Sequence, residues 1–82
     1  MTKEEYIKNS IIQQNVKIDG VKKIQLRHPA SGVTIFLDIN AAEDDINTAK
    51  DNIVASVLKF YDVVEVEGIE GEYTLEIKEE FK

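Results

Sequence analysis

Eighty-two residues without cysteine suffice for one small core and exclude a disulfide framework or a thiolate metal site. The net charge of −6 is unevenly spread: residues 1–28 carry six basic against three acidic side chains, and residues 29–82 carry four against thirteen. No stretch approaches the roughly 18 apolar residues of a membrane span and no basic-then-apolar leader is present, so a single cytoplasmic domain over 1–82 is expected.

Residues 3–14 read as a short helix. Thr2 and Glu5 have capping-box spacing, and Tyr6, Ile7, Ser10, Ile11 and Gln14 fall on one side, with Lys3, Glu4 and Lys8 toward water. A helix of about twelve residues is marginal unless it docks. The competing reading is a strand over 11–18, turned by the hairpin dipeptide Asp19-Gly20. A two-residue turn there sets Val16 and Ile18 opposite Lys23 and Val21, leaving Ile24 and Leu26 on the other face; a one-residue bulge at Gly20 would reunite them. From Val16 to His28 the alternation is continuous and reads as one strand, interrupted at Gly20.

Pro29-Ala30-Ser31-Gly32 ends that strand. Val33, Ile35, Leu37 and Ile39 then alternate. A four-residue loop sets His28, Leu26 and Ile24 opposite Val33, Ile35 and Leu37, all on one face, so turn and register agree on a hairpin. A helix follows over 40–61. Its stripe is Ala42, Ile46, Ala49, Ile53, Val57 and Phe60, widened by Val54 and Leu58. Asn40 is its predicted cap, Glu43 the capping-box partner, and Asp44 and Asp45 suit the first turn. Strands 62–67 and 72–78 flank Gly68-Ile69-Glu70-Gly71. A four-residue loop there pairs Val66 with Tyr73, Val64 with Leu75 and Asp62 with Ile77.

The predicted fold is α+β: helix–hairpin–helix–hairpin, or αββαββ, a mainly antiparallel four-stranded sheet with both helices on one face. This order is a circular permutation of the split βαββαβ arrangement, which would lay the last strand beside 33–39.

The sheet's other face carries the candidate contacts. On the first hairpin these are Val21, Lys23, Gln25 and Arg27 opposite Asn40, Asp38, Phe36 and Thr34. Phe36 stands where alternation calls for a polar residue. It is either covered by the first helix or a second subunit, or it anchors a contact with Val21 nearby and Lys23 and Arg27 as a basic rim. On the second hairpin Glu67 and Glu72 would face each other beside Glu65. Such like-charge neighbours cost up to about 1 kcal/mol, which a wet surface tolerates and a basic partner would relieve.

Chemistry is sparsely provided. His28 is the one histidine and is expected inside, hydrogen-bonded; a His28–Ser31 nucleophile pair lacks a motif for an orienting acid or oxyanion hole. Glu70 and its neighbours do not form a calcium loop, and Gly68 and Gly71 are turn glycines rather than a phosphate loop. No catalytic residue, metal or cofactor is therefore assigned, and no enzyme is expected. One aromatic amid Lys17, Lys22, Lys23 and Arg27 is too few for a nucleic-acid platform, and the downstream acids would repel phosphate.

The run Val16-Lys17-Ile18-Asp19-Gly20, then Ile24-Gln25-Leu26-Arg27-His28-Pro29, followed by an acidic-capped helix, resembles the layout of small phage tail assembly chaperones over the middle half of the chain. The resemblance assigns no functional residues and implies an accessory or assembly role. The resulting expectation is a non-enzymatic interaction module acting on a protein partner through sheet faces or edges, with Phe36, Val21, Lys23, Arg27, Glu65, Glu67 and Glu72 as contacts. The alternatives are an acidic decoy for a nucleic-acid-binding protein and a self-assembling homo-oligomer.

Overall fold

The computed structural model describes residues 2–82. In chain order the elements are α1 (Lys3–Asn9), β1 (Ile12–Ile18), β2 (Val21–Arg27), β3 (Thr34–Asp38), α2 (Glu43–Phe60), β4 (Tyr61–Glu65), β5 (Tyr73–Ile77) and a closing 3-10 turn, Glu79–Phe81. The strands form two antiparallel sheets, β1-β2-β3 and β4-β5, in place of the predicted single four-stranded sheet. The last strand does not lie beside β3. An 18-residue α2 is about 27 Å long and runs straight into β4, so the second hairpin begins far from the end of β3.

Residues 10–18 correct the predicted first helix. Thr2 caps α1 as expected, its hydroxyl accepting from the Glu5 N–H at 3.1 Å. Ser10 then stops the helix: its hydroxyl donates to the Tyr6 carbonyl at 2.9 Å and its N–H to the Ile7 carbonyl. The next residues are rich in β-branched side chains, which favour a strand. Asp19 (φ 51°) and Gly20 (φ 80°) form a two-residue turn with positive φ at both positions, as in a type I′ hairpin. No bulge intervenes: Ile18 faces Val21, Val16 faces Lys23 and Ile12 faces Arg27.

The β2–β3 hairpin has the predicted register, with Leu26 opposite Ile35, Ile24 opposite Leu37 and the His28 N–H donating to the Val33 carbonyl at 2.9 Å. α2 starts later than predicted. Ala42 occupies the N-cap without a side-chain bond, while the Asn40 N–H is held by the Asp38 carboxylate at 2.8 Å in a turn.

The β4–β5 register is one residue off the predicted one: Val63 faces Leu75 and Glu65 faces Tyr73. The Val66 N–H bonds to the Glu72 carbonyl, which leaves five residues in the loop. Two successive turns, 66–69 and 69–72, each place a glycine of positive φ third, the type II pattern. A slip of one residue exchanges faces, so Val63 is buried and Val64 exposed.

The core joins Ile7 of α1, Ile24 and Leu26 of β2, Ala49, Ile53, Val54 and Val57 of α2 and Val63 of β4. Ala42 and Phe60 lie outside it. Phe60 instead meets the edge of Phe81, centroids 4.8 Å apart, with the Lys59 ammonium over its ring. Two contacts reach across the fold: Lys8 pairs with Asp51 at 3.1 Å, and the Tyr6 hydroxyl donates to the Tyr73 carbonyl at 2.9 Å. The chain is elongated, 45 × 28 × 17 Å, with a radius of gyration of 14.2 Å where a compact chain of this length has about 12 Å.

Candidate functional site

The two-residue turn decides what the outer face of the three-stranded sheet carries. β2 alternates Ile24 and Leu26 inward with Val21, Lys23, Gln25 and Arg27 outward. Because β1 pairs without a bulge, Ile12, Gln14, Val16 and Ile18 turn outward with them, and Gln13, Asn15 and Lys17 take the inner side. β3 adds Thr34, Phe36 and Asp38 to the outer face. Across the sheet the rows are Ile12, Arg27, Thr34; then Gln14, Gln25, Phe36; then Val16, Lys23, Asp38; then Ile18 and Val21.

This face concentrates exposed apolar surface: Phe36 is 48% exposed and Val21 52%, joined by Ile12 and Ile18 at 39% each. α1 does not cover Phe36, since Ile7 on α1 belongs to the core on the opposite side. Val21 is not beside Phe36 as predicted. Four residues, about 13 Å of strand, separate Val21 from Gln25, the cross-strand neighbour of Phe36. Lys23 lies on the outer face between the two apolar spots and Arg27 beside the Phe36 row. The sequence reading missed Ile12, Val16 and Ile18 because it placed their stretch on a helix or a continuous strand.

The acidic contacts do not assemble. Glu65 is on the Tyr73 side of its hairpin, Glu67 is in the loop, and Glu72 stands opposite Val66. The expected row of facing carboxylates is therefore dispersed by the same one-residue slip. A shallow groove runs along 65–70 at the hairpin tip.

His28 and Ser31 do meet, with Nδ1 and Oγ 2.8 Å apart. The Ser31 N–H also donates to Nδ1, at 3.2 Å, and Ser31 Oγ accepts from the Val33 N–H at 3.3 Å. Nδ1 is thus an acceptor and the ring proton belongs on Nε2, which is buried without a hydrogen-bond partner among the described residues. The imidazole is 1% exposed, and desolvation holds its pKa below the usual 6.5. This arrangement staples the loop.

Among the described residues no group of three His, Cys, Asp or Glu side chains is placed to hold a metal ion, and no helix is long and apolar enough to cross a membrane. No protein-family model, curated protein or solved structure matches the chain.

Proposed function

We propose that this chain is a small non-enzymatic interaction module that binds a protein partner through the outer face of its three-stranded sheet. The observation that carries the reading is that Phe36, Val21, Ile12 and Ile18, all exposed, share one sheet face with Lys23 and Arg27 interspersed among them. Large exposed apolar side chains gathered on one face favour burial against another surface. An aromatic beside arginine is a composition enriched where interfaces desolvate most fully. The mixed lysine and arginine rim suits a partner surface with apolar and acidic groups, and would mainly set orientation and association rate.

The test is affinity capture from the native host with mass spectrometry, comparing the parent chain with Phe36→Ser and with a triple Glu65, Glu67, Glu72→Gln variant. The reading expects a partner that Phe36→Ser loses and the triple variant keeps. A partner retained by Phe36→Ser and lost by the triple variant would instead move the contact to the acidic hairpin.

A further inference from the structure

β1 is an outer strand of the three-stranded sheet and leaves one edge open. The His28 N–H bonds to Val33, so even-numbered β2 residues direct their backbone groups to β3 and odd-numbered ones to β1. On β1 the residues facing odd β2 positions are Ile12, Gln14, Val16 and Ile18. The backbone N–H and C=O of Gln13, Asn15 and Lys17 therefore point away from β2, along an edge whose residues are exposed. The strand has no proline and no bulge, and Lys17 is its one charge.

We propose that two copies of this chain associate by antiparallel pairing of β1 about a two-fold axis at Asn15, making a continuous six-stranded sheet. That axis overlays 12–18 fully on its copy, and Asn15 with Asn15, and Gln13 with Lys17, become hydrogen-bonded pairs that use every free group named above. Ile12 meets Ile18 of the second copy in a non-hydrogen-bonded pair, where side chains approach most closely. Within one chain Ile12 and Ile18 are six residues apart, about 20 Å along the strand. Pairing forms two outer-face clusters, each of Ile18 and Val21 from one copy with Ile12 from the other. Neither cluster exists in a single chain. The lysines avoid each other, because each Lys17 faces a Gln13. A seven-residue edge buries on the order of 500 Å² in total, below a standard stable interface, so the dimer is reversible and weak.

The proposal shares Ile12, Ile18 and Val21 with the face proposed above but uses neither Phe36 nor a different protein, so the absence of a Phe36-dependent partner leaves it standing. Sedimentation equilibrium on the full chain, up to about 1 mM, should show a monomer–dimer equilibrium in the range expected of small interfaces. Hydrogen exchange should show concentration-dependent protection of the Gln13, Asn15 and Lys17 amides, with Gln14 and Val16 protected at any concentration. Gln13→Lys sets two like-charge contacts across the axis and should weaken association about tenfold. Adding Lys17→Glu should restore it, an outcome specific to this register. Asn15→Pro, which removes an edge N–H that β2 does not use, should abolish it. A monomer throughout the concentration range, or a dimer indifferent to Gln13→Lys and lacking protection at 13, 15 and 17, overturns the proposal. Gln13 is exposed, so its variant tests pairing even if the proline variant fails to fold.

Discussion

Phe36 and Leu26 lie on neighbouring strands but on opposite faces, and their truncation should differ in a way that tests the assignment of faces directly. Leu26 is fully buried, and Leu26→Ala should cost about 2–5 kcal/mol through lost transfer energy and a residual cavity. Phe36 is 48% exposed. Burying a whole phenylalanine is worth about 1.5–3 kcal/mol, so Phe36→Ser should cost about 1 kcal/mol. The total stability of such a chain is on the order of 4–12 kcal/mol, so the first change removes a large share and the second a small one. Urea unfolding followed by far-UV circular dichroism in dilute solution resolves the two. With an m-value of about 1 kcal/mol/M, the midpoint should fall by about 1 M for Phe36→Ser and by about 2–5 M, or to no transition, for Leu26→Ala. A Phe36→Ser loss equal to that of Leu26→Ala would mean that Phe36 is core, and the outer-face argument would fail.

Other outcomes follow from single contacts. Burial lowers the His28 pKa, so between pH 7.5 and 5.5 the unfolded chain takes up more protons than the folded one. Stability should fall as pH drops through about 6.5, and His28→Gln should flatten that slope in denaturant midpoints measured across the window. Gly20→Ala meets no neighbouring atom but must adopt φ near +80°, so thermal or urea unfolding should report a loss of about 1–2 kcal/mol from backbone strain alone. Tyr6→Phe removes the bond to the Tyr73 carbonyl. It should cost about 1 kcal/mol and speed amide exchange in β5 more than at Ile24 and Leu26.

The parts legible from sequence are those where two independent constraints agreed. Between His28 and Val33 the loop length and the apolar alternation demanded the same register, and α2 carries a stripe long enough to leave no rival. Residues 10–20 departed from the expectation for a physical reason. Tyr6, Ile7 and Ile11 suit a helical face, and the rule that apolar residues turn inward disfavoured a hairpin whose apolar residues turn out. Ile12, Val16 and Ile18 break that rule, and Ile12 and Ile18 are among the residues both proposals use. The second hairpin slipped because Val63 and Val64 are adjacent and equally apolar, so alternation could not choose between them. The glycine pair then allowed a loop of four residues or five. Asn40 drew the helix start too early because Asp38 already held its N–H, a contact invisible in a linear pattern.

The junction at Phe60 and Tyr61 has a consequence for how this protein can change length. Helix passes to strand with no spacer, and the Lys78 N–H fixes the end of the hairpin to the Phe60 carbonyl at 2.9 Å. One residue added within α2 would swing the hairpin by about 100° and lift it about 1.5 Å, unseating Tyr73 from Tyr6. Seven residues recover the angle to about 20° but carry the hairpin about 10 Å too far. Angle and height cannot both be restored, so α2 behaves as a keyed shaft of fixed length. Tolerated insertions belong in the exposed bend at 67–71, where added chain turns nothing else.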